Sequence, residues 1–246
     1  MDKPNKIRLW EIDSLRGLAV VGMIVFHVFY ILNFFDVVKN EMYEGGWFWL
    51  VRFVQLMFLG LVGVSMALSK SGYRKQFVRG AKVFFMGIGV SIVTYFFEPE
   101  LFVKFGILHL IGVSIILLVA ISGRKYLSLF CGILVLLIWQ FVDFGTSSNL
   151  ILHILGLGNT SLYALDYFPI FPWISVILFG IFIGNFLREF VEKKQKKSLS
   201  VPKIFFPLVW LGQNSLLIYM IHIPAIIAVL IVFKIVPMEI LFTTGV

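Results

Sequence analysis

The chain has 246 residues, of which 60% are apolar, 17% aromatic and 14% charged, with a net charge of +8. Globular domains carry about 25% charged residues, so a water-soluble fold is excluded. One cysteine, Cys131, excludes an internal disulfide framework, and no Cys/His spacing suggests a metal site, so no metal is expected.

The expected fold class is all-α: a polytopic membrane helix bundle of about seven transmembrane helices, forming a single domain over 1–246. Long apolar runs, each able to cross a hydrocarbon core of roughly 30 Å as a helix, carry this reading. In chain order they are Leu15–Phe35, Trp47–Ser69, Gly80–Phe97, Phe102–Ile121, Tyr126–Val142, Phe168–Leu187 and Phe205–Val236. Basic residues precede the first run, as in a signal peptide. That run is long and lacks a small-residue cleavage site, so it reads as a retained span. The last run is long and contains Pro224, which predicts a tilt or kink. Residues Asp143–Tyr167 form the one long connection. The stretches "GTSSN" and "GLGNTS" supply its turn chemistry, and "LILHILGL" is an apolar patch within it. A connection of that length is often functional.

Lys and Arg number 4, 5, 2 and 6 in residues 1–16, 69–82, 122–126 and 188–203. The opposite side carries Asp36, Glu41, Glu44, Glu98, Glu100, Asp143, Asp166 and Glu239. The positive-inside rule then places the N-terminus in the cytoplasm and the C-terminus outside. The run "EKKQKK" is read as a topology signal attracted to anionic membrane lipid, and no nucleic acid partner is expected.

Polar groups within a span are costly and usually face the bundle interior. The chain places His27 in the first span, Arg52 and Gln55 in the second, and His109 in the fourth. Gln213, Asn214, Ser215, Tyr219 and His222 lie in the seventh. On the expected topology His27, His109 and His222 share one layer, while His153 is in the outer connection. Ser215, Tyr219 and His222, at i, i+4 and i+7, line one helix face. Arg52 also suits snorkelling to the interface. Gln213 and Asn214, like any one of the intramembrane histidines, also suit packing between helices.

The stretch "EIDSLRGLAVVGMIVFH" (11–27) sets Arg16 and His27 eleven residues apart. In a continuous helix they share a face and lie about 16 Å apart along the axis. That suits a long substrate with an anionic end held by arginine and a reactive end at an imidazole acting as general base. The alternative is that Arg16 anchors the topology, paired with Asp13.

The same stretch resembles the first span of the transmembrane acyltransferase superfamily, with its Asp–x2–Arg–Gly start and Arg–x10–His spacing. "FGILHLIGVS" (105–114), "DYFPIFPW" (166–173) and "GQNSLLIYMIHIP" (212–224) are more closely similar to prokaryotic relatives of the heparan-alpha-glucosaminide N-acetyltransferase catalytic domain. The resemblance implies transfer of acetyl from cytoplasmic acetyl-CoA to an extracytoplasmic sugar or glycoconjugate, at the cell membrane. Arg16, with Arg79, Lys75 or Lys82, would hold the phosphates of CoA. His27 would act on the acceptor or carry the acetyl group, while His109 and His222 would assist. Asp166, Tyr167 and Asn214 would bind or orient the acceptor. One departure stands out. Lysosomal members carry their catalytic histidine in the first luminal loop, and Asp36–Gly46 has none. The chain is also minimal beside those members, so a homo-oligomer or partner is the expected means of completing an acceptor site. Two rival classes share these residues: a transporter of an anionic or lipid-linked solute, and a non-catalytic scaffold subunit.

Overall fold

The computed structural model describes residues 9–42, 44–141, 149–157, 164–193 and 201–236. The basic tail before residue 9, Asp143, Glu239, most of "EKKQKK" and much of the long connection lie outside them. The described residues form nine α-helices. These are α1 (Trp10–Phe34), α2 (Gly45–Leu68), α3 (Tyr73–Phe97), α4 (Ile107–Leu118), α5 (Lys125–Phe141), α6 (Leu150–Leu155), α7 (Ile170–Lys193), α8 (Phe206–Gln213) and α9 (Ser215–Val232). Short 3-10 turns, Val119–Ile121 and Lys203–Phe205, extend α4 and lead into α8.

Five helices, α1, α2, α3, α7 and α9, are long and apolar enough to cross a membrane, which makes this an integral membrane protein. The fourth and fifth expected spans are shorter. Helix α4 with its 3-10 turn covers Ile107–Ile121, and α5 covers 17 residues. At 1.5 Å per residue these reach about 22 and 26 Å.

The fourth span shortens for a visible reason. Residues 102–106 were expected to be helical, but they are not: Phe105 forms an isolated β-bridge with Tyr167, and backbone bonds run from residues 165 and 168. Leu165 N–H donates to the Leu101 carbonyl (2.7 Å), and Phe168 N–H donates to the Phe105 carbonyl (3.0 Å). Val103 N–H donates to Thr94 Oγ1 (3.1 Å). With those backbone groups already engaged, the helix begins only after Gly106.

The seventh span also differs. It breaks at Asn214, and α9 runs on through Pro224. Both the main-chain N–H and the Nδ2 of Asn214 donate to the Trp210 carbonyl, at 3.1 and 2.8 Å. Such side-chain bonding back to i−4 competes with the helical ladder. In the long connection, "LILHIL" is α6. Asn149 Oδ1 accepts the Ile151 N–H (2.9 Å) at its start, and Gly156 closes it at φ +78°. A side chain at Gly156 would be strained by that φ and would meet the Phe171 carbonyl.

Contacts gather the chain into two compact units. One holds the described residues from Leu59 to the end of α7, and the other holds those up to Phe58 and from 201 onward. In the first unit, α3 packs on α4 and α5 packs on α7. Added carbons at Gly63 and Gly180 would collide with the carbonyls of Ile177 and Gly60, so α2 and α7 cross at backbone contact. Small residues at such crossings suit membranes, where helix association relies on close packing rather than on burial from water. Buried Asn185 adds bonds to the Ser122 and Ile181 carbonyls (2.8 and 2.9 Å).

In the second unit α1 runs beside α8 and then α9. Their backbones meet where an added carbon at Gly17 would strike the Leu208 carbonyl, and one at Gly212 the Asp13 carbonyl. Further along, Ile31, Ile226, Leu230 and Val236 form a buried apolar cluster with Ile24, Val28, Leu32, Phe35 and Ile227 packed on it.

Candidate functional site

The α1–α8–α9 unit brings together four of the polar residues singled out in the sequence. Helix α1 is continuous from Trp10 to Phe34, so Arg16 and His27 do share one face. Across from them stands the polar end of α8 and, on α9, His222. Two polar clusters result, one near each end of that stripe.

The first is built on Asp13, which is only 6% exposed. Arg16 Nη1 donates to Asp13 Oδ1 at 3.0 Å, and Gln213 Nε2 donates to Asp13 Oδ2 at 3.4 Å. The carboxylate thereby neutralises the arginine and ties α1 to the last residue of α8. Arg16 itself is mostly buried, with 19% of its side chain exposed. The pairing of Arg16 with Asp13 that the alternative reading expected is thus present.

The second cluster is the pair His27 and His222. Their ring centroids are 4.7 Å apart and the planes are nearly perpendicular, at 81°. His27 Nδ1 lies 2.8 Å from the Met23 carbonyl, and His222 Nδ1 lies 2.6 Å from the Tyr219 carbonyl. A carbonyl only accepts, so each Nδ1 carries the hydrogen and each Nε2 presents a lone pair. His222 Nε2 is buried and has no hydrogen-bond partner. Two basic nitrogens are thus held at one spot by bonds within their own helices. The spacing Ser215, Tyr219, His222 contributes here through the Tyr219 main chain. Asn214 sits at the helix break just described.

His109 belongs to the other unit and is differently engaged. It is 4% exposed, between the rings of Phe84 and Phe105, each 5.4 Å away. Its Nδ1 accepts the Gly106 N–H at 3.2 Å, so its Nε2 carries the hydrogen, 3.5 Å from Ser91 Oγ. Ser91 Oγ donates to the Val103 carbonyl at 2.5 Å. Asp166 Oδ2 accepts the Ile107 N–H at 3.0 Å, placing a negative charge at the start of α4 where the helix dipole favours it. Tyr167 OH donates to the His153 carbonyl at 2.6 Å, and burial raises its phenol above the usual value. Asp166 and His109 therefore meet at a hydrogen-bonded pad over the start of α4, and the Tyr167 phenol, next in sequence to Asp166, reaches α6.

Lys75, Arg79 and Lys82 are exposed on α3 in that same unit, spaced i, i+4 and i+7 on one face. Arg52 lies on α2, its Nη1 donating to Gln55 Oε1 at 3.0 Å and its guanidinium 5.3 Å from the Phe48 ring centroid. Among the described residues no three His, Cys, Asp or Glu side chains are grouped as a metal site requires. Sequence reasoning paired Asp13 with Arg16 and gave Gln213 a packing role between helices, but missed that the two bond each other. The available signal was a carboxylate three residues before Arg16 at the edge of an apolar run.

Comparison with known proteins adds one finding. The profile of a family described as heparan-alpha-glucosaminide N-acetyltransferase, catalytic, matches residues 8–224. No curated protein and no solved structure matches the chain. The matched region begins before α1 and ends inside α9, so it contains Asp13, Arg16, the His27–His222 pair and the pad over α4. The chain belongs to the heparan-alpha-glucosaminide N-acetyltransferase catalytic family.

Proposed function

We propose that the protein is a membrane acetyltransferase that moves an acetyl group from cytoplasmic acetyl-CoA to a hydroxyl or amine of an extracytoplasmic sugar or glycoconjugate. It would sit in the cell membrane with its N-terminus inside, α4 and α5 completing seven spans. The observation that carries this reading is the His27–His222 pair, two imidazoles with open Nε2 atoms, about 16 Å along one helix face from a mostly buried arginine.

Arg16 supplies a fixed guanidinium for phosphate at one end of the stripe. Exposed Lys75, Arg79 and Lys82 add positive charge that attracts an anionic donor. At the other end His27 Nε2 takes the proton from the acceptor O–H or N–H as that atom bonds to the thioester carbon. The carbon–sulfur bond then breaks, and the imidazolium returns its proton to the departing thiolate. The lone pair of His222 stands beside that imidazolium and stabilises it. Asp166 and His109 hold the start of α4 in place, and Tyr167 ties the neighbouring chain to α6. Asn214, at the helix break, orients the acceptor.

The test is purified protein in proteoliposomes with radiolabelled acetyl-CoA and a panel of cell-wall sugars and glycolipids. Acetyl transfer that disappears in His27→Ala, with CoA binding kept, is the expected result. Full activity in His27→Ala rejects the assignment. Absence of both CoA binding and transfer in the unaltered protein rejects the function.

A further inference from the structure

We propose that Asp13 is a positioning residue. Its one carboxylate orients Arg16 for the anionic end of the donor and, through Gln213, sets the register of the helix carrying His222. The proposal rests on the reading of Arg16 as the phosphate contact.

A carboxylate at the start of a membrane span is costly unless it is paired and hydrogen-bonded. Asp13 is buried, and its two oxygens have different clients: Oδ1 takes Arg16 and Oδ2 takes Gln213. Its main chain is committed as well, because the Asp13 carbonyl faces Gly212 at the α1–α8 crossing. The side-chain bridge therefore forms where the two backbones are already in contact, with little freedom to be lost on forming it.

Gln213 is the last residue of α8, and the helix breaks at the next position. Without a tie at this point, the break would let α9 rotate or slide relative to α1. His222 lies nine residues beyond Gln213, about 13.5 Å along the helix, and must meet His27 at ring contact. The Asp13 bridge thus fixes the phosphate end directly and the imidazole end through Gln213. It touches no reacting atom.

An asparagine at position 13 would keep the size but not the function. Its carbonyl oxygen replaces only one of the two carboxylate oxygens, its amide nitrogen would face the donor at the other, and the arginine would lose the carboxylate's charge.

The experiment measures CoA binding by calorimetry and acetyl transfer at varied acetyl-CoA, in proteoliposomes, for Asp13→Asn, Asp13→Glu, Gln213→Leu, Arg16→Ala and the Asp13→Asn/Arg16→Ala double variant. Asp13→Asn should weaken CoA binding roughly 10-fold or more and raise KM for acetyl-CoA in parallel, with a smaller change in kcat. The double variant should bind no more weakly than Arg16→Ala, because the two residues act as one unit. Asp13→Glu should recover part of the lost binding. Gln213→Leu should lower kcat several-fold while leaving CoA binding within about 2-fold, and it keeps the proposal testable if Asp13→Asn does not fold. Independent, additive losses in the double variant would overturn the proposal while leaving Arg16 as the phosphate contact. So would Asp13→Asn or Gln213→Leu with unaltered kinetics. Unaltered CoA binding in Arg16→Ala overturns the reading of Arg16 and the proposal with it.

Discussion

Two buried histidine environments in this protein differ in what is left for chemistry. At the start of α4, His109 is engaged at both ring nitrogens, by Gly106 and toward Ser91. Between α1 and α9, His27 and His222 each spend one nitrogen on a carbonyl of their own helix. Each keeps the other as a lone pair. The first pattern holds a loop against a helix start. The second leaves an Nε2 lone pair on each ring, which the proposed function uses as base. Burial alone does not separate them, since His109 and His222 are 4% and 6% exposed; the partners do.

The sharpest way to break this contrast is to exchange the roles by mutation. His27→Ala and His222→Ala should each lower acetyl transfer by about 10²- to 10⁴-fold, the usual worth of a positioned acid–base group. His109→Gln should lower it less than 10-fold, on the same scale, and act mainly through the melting temperature. Transfer rates beside thermal unfolding in detergent make the comparison. A His109→Gln variant that folds normally and is inactive would erase the distinction.

Next in size is the close approach that aligns the pair. Gly212→Val places a side chain against the Asp13 carbonyl and the Gly17 amide. Overpacking of this kind costs about 1–3 kcal/mol. The variant should lose both stability and transfer, because α1 can no longer lie against α8. Unfolding curves and activity measured together check it.

Asp166→Ala should cost about 1–3 kcal/mol by leaving the Ile107 N–H without its partner. CoA binding should be unchanged, since the proposed function assigns the donor to Arg16 and the basic face of α3 and not to the start of α4. Calorimetric binding and chemical denaturation separate the two.

The smallest effect concerns Tyr167. Burial raises its phenol, so the folded chain keeps the proton above pH 10 while the unfolded chain releases it. Protons bound by the folded state in excess mean that stability falls as pH rises past that point. Tyr167→Phe should flatten this loss in the alkaline range and leave neutral stability nearly unaffected, apart from the bond to the His153 carbonyl. Melting curves between pH 8 and 11 are the measurement.

Much of the helical content was legible, because apolar runs in a chain with few charges leave little choice but helices. The one-faced stripe from Arg16 to His27 was legible too, since helix geometry fixes face and rise. What spacing cannot give is the rotation of a second helix about its axis. His27 and His222 are 195 residues apart in the chain, and their shared depth placed three histidines in one layer without saying which two meet. The structure puts His109 in another unit, on a different set of partners. Local competition was equally hidden. Pro224 was the visible helix breaker, yet the break falls at Asn214, where a side-chain amide takes a main-chain acceptor. Likewise residues 102–106 are apolar enough to be helix. They stay outside the helix because their backbone partners come from Thr94 and from residues more than sixty positions further on.

The apolar cluster of Ile31, Ile226, Leu230 and Val236 has an electrical consequence. Ile31 and Ile226 each lie one turn beyond a histidine of the pair, about 6 Å along the axis. Beyond the histidine pair, the seam between α1 and α9 is therefore closed by apolar side chains. Moving one elementary charge across 100 mV is worth about 2.3 kcal/mol, so an unbroken wet path there would act as a proton shunt. On the proposed function, that apolar closure is what would keep proton transfer at the imidazoles from becoming a leak along the seam.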